Sequence, residues 1–209
     1  MNYNSCVKVG ENMEYENILK SLMEENQGIL MAAKALDAGV SKYHFYKYVK
    51  SEELEKAAPG IYVSADAWGD DLYILQARYA GVIFSHETAL YLLDLVDREP
   101  LQITVTAKGK YNAQKLTEQG VKIYRIKPEL HTLGVRELPS PGGHQIRVYN
   151  AERTICDMIR SRSNIEIQDY QTALRSYLRL KEKNIPLLME YAEEFHVAAI
   201  LRTYLEVLL

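Results

Sequence analysis

The fold of this chain is decided at residues 39–50, whose sequence is GVSKYHFYKYVK. On a helical wheel this stretch divides into two faces. Phe45, Tyr48 and Val49 fall on one face, and the other carries ammonium and phenol groups: Lys42, Tyr43, Tyr46, Lys47 and Lys50. Ser41 occupies the position of an N-cap, so we expect the helix to begin immediately after it.

The outward face of this helix has the chemistry of a nucleic-acid contact. It holds three lysines and no acidic residue, in a chain whose net charge is -3. Ammonium groups pair with phosphates, and phenols donate to phosphates or lie against bases. We therefore predict that DNA is bound by Ser41, Lys42, Tyr43, Tyr46, Lys47 and Lys50, with His44 as a flanking contact. The alternative is a solvated helix face without a ligand.

The segments on either side complete a recognisable order of elements. Residues 14–25 carry apolar side chains at helical spacing, and Asn26-Gln27-Gly28 breaks that helix. Residues 29–38 predict a second short helix, closed by Gly39. After the Lys/Tyr helix, two short strands around the turn Ala58-Pro59-Gly60 predict a hairpin. This order is that of a winged helix-turn-helix domain, in which the third helix enters the major groove.

We predict three parts: a tail at residues 1–13, the winged helix-turn-helix domain at 14–68 and a C-terminal domain at 69–209. Trp68 is expected to anchor the packing at the boundary. Strands in the C-terminal domain are predicted at 101–106, 121–126 and 145–149. The helices predicted after the last strand make this domain α+β, with a small sheet and its helices gathered at the C-terminal end.

Composition excludes several classes of protein. The chain has 209 residues, 47% of them hydrophobic, which is enough for two small cores. Its net charge of -3 argues against a protein that coats nucleic acid regardless of sequence. Cys6 and Cys156 have no metal-ligand spacing and are expected to be reduced thiols. With no signal peptide and no apolar run of membrane-spanning length, we expect a cytoplasmic protein without a membrane partner.

A basic segment stands out in the second half of the chain. Residues 98–153 hold ten Lys/Arg against five acidic residues. Such a surplus favours a second basic surface, which we predict from Lys108, Lys110, Arg125, Lys127, Arg147 and Arg153. The alternative is that these side chains point in different directions and are simply solvated.

Motifs of catalysis are missing from the sequence. The five histidines are scattered, and no Gly-rich phosphate loop or Gly-x-Ser-x-Gly elbow occurs. Ser85-His86-Glu87 contains triad residue types, but adjacent residues on one helix splay apart, so we interpret Ser85 as a helix N-cap. Arg153, Thr154 and Asp157 are interpreted as charged and polar residues that organise the start of a helix. We predict no catalytic residues, no metal, no cofactor and no enzymatic activity.

Three motifs, in this order, resemble those of the AbiEi-type antitoxins of bacterial abortive-infection toxin–antitoxin pairs. Ala58-Pro59-Gly60-Ile61-Tyr62 looks like the family's Arg-Gly-(Ile/Val)-Tyr wing, with Pro59 where a basic residue is common. Ser85-His86-Glu87-Thr88-Ala89-Leu90 looks like its Ser-His-x-x-Ala-Leu segment. Val148-Tyr149 followed by Glu152-Arg153-Thr154-Ile155-Cys156-Asp157 looks like its Glu-Arg-Thr-(Ile/Leu)-x-Asp helix start. The resemblance covers about residues 14–208.

The resemblance implies a function that composition does not show. The winged domain would bind inverted repeats in double-stranded promoter DNA and repress the pair's own promoter. The C-terminal domain would counteract a nucleotidyltransferase-like toxin without a stable complex. We expect a monomer in solution with two copies on the DNA. The second basic surface would then extend the DNA footprint, or act on the toxin or on its RNA substrate.

Two other functions remain as alternatives. A ligand-responsive transcription factor would carry a deep apolar pocket in its C-terminal domain. A modifying enzyme targeted to DNA by the winged domain would carry a convergent cluster of acidic and basic side chains around Arg153 and Asp157.

Overall fold

The computed structural model describes residues 3–67, 69–164 and 167–208, with side chains at 13–67, 69–163 and 170–207. The chain forms two compact units, which we name the winged unit (Met1–Arg78 with Pro139–His144) and the sheet unit (Tyr79–Leu138 with Gln145–Leu209). The predicted α+β class is confirmed. The predicted packing role of Trp68 lies outside the described residues, as does the side chain of Cys6.

The winged unit opens with a long helix where we predicted a tail. Helix α1 spans Tyr3–Glu25, so the helix starts well before residue 14. Because no proline interrupts residues 3–25, the helical backbone continues beyond the stretch that has regular apolar spacing.

Short elements follow α1 in the winged unit: β1 Ile29–Met31, α2 Ala32–Asp37, α3 Lys42–Ser51, β2 Glu55–Ala58, β3 Ile61–Val63 and α4 Asp71–Arg78. The three strands pair antiparallel in the order β1-β3-β2. Helices α1, α2 and α3 followed by the β2–β3 hairpin form the predicted winged helix-turn-helix, and the hairpin is its wing.

Strand β1 lies where the second helix was predicted to begin. Ile29 belongs to an apolar cluster with Ile61, whereas Leu30 belongs to another cluster with Leu19. Successive side chains reach opposite sides of the backbone in an extended strand. Pairing of β1 with β3 therefore replaces the first turn of the predicted helix, and α2 begins only at Ala32.

The winged unit extends ten residues past the boundary that we predicted at residue 68, because helix α4 packs on it. Three side chains of α4 contact the cluster around Ile29 and Ile61: Tyr73, Ile74 and Ala77. The turn Pro139–His144, which follows later in the chain, also belongs to the winged unit. The domain is therefore assembled from two separate segments of the sequence.

The sheet unit carries five strands in the order β6-β5-β4-β8-β7. Strand β4 pairs antiparallel with β5 and parallel with β8, and β5 pairs parallel with β6. The three predicted strands correspond to β5, β6 and β8. The elements are β4 Val82–Phe84, α5 His86–Leu92, β5 Thr104–Lys108, α6 Gln114–Glu118, β6 Lys122–Ile126, β7 Val135–Pro139 and β8 Gln145–Tyr149.

Four C-terminal helices complete the sheet unit: α7 Ala151–Arg160, α8 Ile167–Arg179, α9 Ile185–Glu194 and α10 Ala198–Leu208. Helix α7 is central, since Glu152 to Ile159 are all buried. Its apolar residues share a core with side chains of the other three helices, among them Leu174, Leu188 and Leu201. Among the described residues, none of the helices combines the length and the apolar composition that a membrane crossing requires.

Candidate nucleic-acid interface

Helix α3 begins with a side-chain cap, as its sequence predicts. The hydroxyl of Ser41 accepts the main-chain N–H of His44 at 3.4 Å. It also lies 2.8 Å from Nδ1 of His44, whose ring packs on Tyr15 with 4.6 Å between ring centroids. Ser41 and His44 therefore have structural partners inside the winged unit, and their binding to DNA stays a prediction.

The other five residues predicted to bind DNA share one exposed face, which we name the α3 face. Tyr43 is 72% exposed and Tyr46 is 52% exposed. The three lysines of the face are exposed as well: Lys42, Lys47 and Lys50. On the opposite side Phe45 is buried in the core of the winged unit. The structure thus brings these five side chains together, and their binding to DNA remains a prediction.

Most of the positive charge of the α3 face is unpaired. Lys47 Nζ lies 3.9 Å from Glu16 Oε1, with both side chains exposed. Lys42 and Lys50 make no ion pair with any residue that the structure describes. An exposed ion pair contributes only about 0–1 kcal/mol, so the pairing of Lys47 leaves its ammonium group available to a phosphate.

Aromatic contacts join the α3 face to the wing. The ring of Tyr62 on β3 meets Phe45 and Tyr46 at centroid distances of 5.6 and 6.3 Å. Partial burial, with Tyr46 nearby, raises the pKa of Tyr62, so the phenol stays uncharged at neutral pH. The wing itself presents the exposed Lys56 next to the acidic Glu55, so its local charge is nearly balanced.

Four residues of the predicted second basic surface come together at one end of the sheet unit's strands. In the parallel pair β5–β6, Lys108 lies opposite Ile126 and Ala107 opposite Arg125, so the ends of both strands meet. Arg125 Nη1 donates to the carbonyls of Gly109 and Tyr111 at 3.0 and 2.9 Å and so fixes the loop between them. The exposed members of this surface are Lys108, Lys110, Arg125 and Lys127.

Arg147 contributes little to this surface. It is half-buried, and its Nη2 donates to the carbonyls of Ala80 and Val82. These bonds hold the guanidinium against the protein's own backbone carbonyls.

Arg153 is not part of the surface at all, because its side chain is 0% exposed. Its Nε donates to Asp157 Oδ2 at 2.9 Å, and its Nη1 donates to the carbonyls of Leu130 and Leu133 at 2.8 and 3.0 Å. Two rings flank the guanidinium, each with its centroid 4.1 Å away: Tyr149 and Phe195. Arg153 therefore ties the start of α7 to the loop before β7.

Gly134 shows how closely that loop approaches α7. Its φ is +75°, and a Cβ added there would lie 2.7 Å from Cβ of Arg153. Asn150 caps α7 by accepting the main-chain N–H of Arg153 at 2.9 Å. The Glu-Arg-Thr segment thus organises a helix start, as we interpreted it from the sequence.

The Ser85-His86-Glu87 segment forms a buried network and not a triad. Nδ1 of His86 faces Ser85 Oγ at 3.0 Å, and Nε2 faces Ser161 Oγ at 3.1 Å. Thr106 Oγ1 donates to Ser85 Oγ at 2.9 Å, so the Ser85 hydroxyl has contacts with both Thr106 and His86. Both ring nitrogens of His86 thus face serine hydroxyls inside the sheet unit.

Burial, with the nearby Lys122, Arg153 and Arg160 as lesser causes, lowers the pKa of His86 well below its usual value. The ring is therefore neutral, and it stacks on Tyr124 with 3.4 Å between centroids. Ser85 precedes α5 as we predicted, but its hydroxyl makes no cap hydrogen bond. Within the described residues no group of three or more His, Cys, Asp or Glu side chains is placed to hold a metal ion.

A second buried polar cluster, which we name the hairpin clip, lies inside the winged unit and was not predicted. Asp70 Oδ2 accepts hydrogen bonds from Ser140 Oγ and from His144 Nδ1, the latter at 2.7 Å. Asp70 Oδ1 accepts the main-chain N–H of Tyr73 at 3.0 Å. Nε2 of His144 faces the carbonyl of Asn26 at 3.2 Å. Both nitrogens of the His144 ring therefore face oxygen atoms that the winged unit supplies.

The turn that carries the clip was interpreted from its sequence only as a break between strands. A Cβ on Gly142 would lie 2.6 Å from Asp70 Oδ2, so this glycine permits a close approach to the acid. Nothing local to residues 139–144 indicates that partner, because it lies 70 residues earlier in the chain.

No protein-family model matches this chain, and no curated protein matches it either. Its fold is similar to the crystal structure of the Rv2827c protein from Mycobacterium tuberculosis, with a TM-score of 0.56 and 13% sequence identity. The similarity covers 84% of this chain and 70% of that one. At this identity the match supports the fold alone.

Proposed function

We propose that this chain is a sequence-specific DNA-binding repressor and the antitoxin of an AbiEi-type abortive-infection pair. The observation that carries the proposal is the α3 face, an exposed set of three lysines and two tyrosines on the third helix of a winged helix-turn-helix. That helix is the one that enters the major groove in this class of domain. The protein acts in the cytoplasm, where promoter DNA and the toxin are found.

The lysines of the α3 face supply affinity. Lys42, Lys47 and Lys50 neutralise phosphates and release counterions, so binding weakens steeply as salt increases. A few phosphate contacts per copy give modest affinity for one site. Two copies bound to an inverted repeat, at the spacing that the DNA sets, supply the remaining affinity.

The antitoxin activity rests on the resemblance of the motifs and belongs to the sheet unit. The exposed cluster of Lys108, Lys110, Arg125 and Lys127 either extends the DNA footprint or acts on the toxin or on its RNA substrate. The toxin is a nucleotidyltransferase-like protein encoded beside this chain, and the two do not form a stable complex.

The DNA-binding proposal is tested by gel shift with the DNA upstream of the chain's own gene. Lys42→Ala combined with Lys47→Ala is expected to abolish the shift, while circular dichroism and the melting temperature stay unchanged. Lys20→Ala combined with Lys34→Ala is the matched control, because it removes the same charge from exposed positions of the same unit. Retained binding by the first double variant would refute the assignment of α3 as the DNA-binding helix.

Co-expression with the protein encoded by the adjacent gene tests the antitoxin proposal. The full chain and the Lys42→Ala, Lys47→Ala variant are both expected to restore growth, because neutralisation does not use the α3 face. If the neighbour is not toxic, or the full chain gives no rescue, the antitoxin assignment is wrong and the DNA-binding assignment is unaffected.

A further inference from the structure

The α3 face has an unusual composition for a surface that reads a DNA sequence. Helix α3 contains no Arg, Asn or Gln, so lysine is its only side chain of the kinds that make paired hydrogen bonds to guanine or adenine. Its exposed charged groups are lysines, which act mainly as point charges towards phosphates. The two tyrosines are therefore the exposed side chains of α3 that can add apolar contacts with the bases to the contacts made by the lysines.

The two tyrosines differ in how firmly the protein holds them. Tyr46 is in ring contact with Phe45 at 5.2 Å and with Tyr62 at 6.3 Å. Tyr43 meets only the edge of His44 at 5.2 Å among the described rings, and it is 72% exposed. Tyr43 thus exposes a larger apolar surface than Tyr46, and a ligand could cover it.

Tyr43 also occupies the position that reaches the bases. It is the second residue of α3, and the N-terminal residues of a recognition helix are those that contact base edges. The major groove presents one apolar group, the 5-methyl of thymine, and apolar side chains recognise it by contact. An aromatic ring at this position has the complementary chemistry.

Resting on the DNA-binding function proposed above, we infer that Tyr43 is the base-reading residue of α3 and that its ring recognises the 5-methyl group of a thymine. The lysines then hold the helix in the groove without regard to sequence, and Tyr43 selects A·T pairs at one position of each half-site. The phenol hydroxyl is not required, since the contact is made by the ring.

The experiment uses the full chain and a short duplex that the chain itself enriches from a random library. Each thymine of that duplex is replaced in turn by deoxyuridine, which removes the methyl group and keeps the base pairing. Binding is measured by fluorescence anisotropy for the wild type and for Tyr43→Ala, Tyr43→Phe and Lys50→Ala. Both Tyr43 and Lys50 are exposed, so these variants are expected to fold normally.

One deoxyuridine position is expected to weaken wild-type binding about fourfold, the loss of one buried methyl group. Tyr43→Phe should lose affinity to the same extent when this thymine is replaced by deoxyuridine. Tyr43→Ala should bind the parent duplex and this deoxyuridine duplex with equal affinity. Lys50→Ala should weaken both duplexes by the same factor. A Tyr43→Phe variant that loses affinity for both duplexes would assign the hydroxyl to a phosphate and overturn the inference.

Two further outcomes separate this inference from the proposed function. If the chain binds an enriched duplex but no deoxyuridine substitution changes its affinity by more than twofold, the inference is wrong and DNA binding stands. If no duplex is enriched, both are wrong.

Discussion

The α3 face of the winged unit and the start of α7 in the sheet unit were both predicted to contribute positive charge to a surface. Their basic side chains lie in opposite environments. Lys42 and Lys50 are exposed and unpaired among the described residues. Arg153 is fully buried, with a carboxylate, two carbonyls and two aromatic rings around it. The fold supplies acceptors to Nε and Nη1 of Arg153, while its Nη2 is buried without a hydrogen-bond partner among the described residues, whereas Lys42 and Lys50 face solvent.

This difference shows that residue type alone does not indicate a binding surface, because the fold can bury a positive charge among acceptors. The surplus of positive charge along residues 98–153 led us to predict a basic surface from residue type alone. The carbonyls of Leu130 and Leu133, which hold Arg153, are main-chain groups that any residue supplies. Burial of a charge costs several kcal/mol unless such partners are present, so removing them has a measurable effect.

The largest effect is expected for Arg153→Ala. This change leaves Asp157 buried without its partner, because Arg153 Nε is the donor 2.9 Å from its carboxylate. We expect the free energy of unfolding of the sheet unit to fall by about 3–5 kcal/mol, measured by urea denaturation. Lys50→Ala on the α3 face is the comparison, with a change of at most about 0.5 kcal/mol. Similar values for the two variants would remove the distinction between the two regions.

The next largest effect on stability is expected at the hairpin clip, because this cluster contains a buried acidic side chain of the winged unit. Asp70→Asn keeps the shape of the side chain but removes the charge that accepts from Ser140 and His144. The expected loss is about 1.5–3 kcal/mol in the unfolding free energy of the winged unit, followed by hydrogen exchange of residues 26–31 and 139–144. The exposed neighbour change Asp71→Asn should cost less than about 1 kcal/mol. Equal exchange in the two variants would show that the clip contributes no stability.

A pH series tests the buried His86. In the folded chain burial keeps its pKa well below 6.5, whereas the unfolded ring takes up a proton below about pH 6.5. The stability contribution of the neutral ring is therefore complete above about pH 6.5 and is lost as the pH falls, by at most about 1.4 kcal/mol per pH unit.

The control for this series is His86→Asn, because asparagine tolerates the positive φ of 49° at this position. Unfolding in urea between about pH 5 and 7 should give the variant a shallower dependence, by one proton. Parallel curves for the variant and the wild type would mean that His86 takes up its proton in the folded chain as readily as in the unfolded chain.

The smallest effect is expected where a charge pair is exposed. Glu16→Gln frees Lys47 from the pair seen at 3.9 Å and should raise the affinity for DNA by less than about fivefold, since such pairs contribute at most about 1 kcal/mol. Anisotropy titrations at low and moderate salt measure the change. A decrease in affinity would mean that Glu16 supports the α3 face and does not compete with DNA for Lys47.

Local patterns in the sequence were sufficient for the winged helix-turn-helix and for α3 in particular. The Ser41 cap is a contact between residues three apart, and the burial of Phe45 follows from its position on the apolar face of α3. Strand β1 could not be predicted in the same way, because its conformation is fixed by pairing with β3, about 30 residues later. A pattern of apolar residues does not distinguish the first turn of a helix from a strand of three residues.

The candidate site was predictable as far as it depends on exposure along one helix. Prediction from the sequence failed at Arg153 and at the hairpin clip. There, partners that are distant in the sequence decide whether a charged side chain is buried or exposed. Asp70 and His144 are 74 residues apart, and no local spacing relates them. The extent of the winged unit, including α4 and the turn Pro139–His144, was not predictable from the composition around residue 68 for the same reason.

The role of the α3 face is tested most directly by covalent lysine labelling of the full chain, with and without the duplex from upstream of its gene. Mass spectrometry reports the labelling of each lysine. We expect Lys42, Lys47 and Lys50 to be protected by the duplex, while the exposed Lys181 is labelled equally in both samples. If the duplex is bound but protection is confined to Lys108, Lys110 and Lys127, the sheet unit carries the DNA contact and α3 does not.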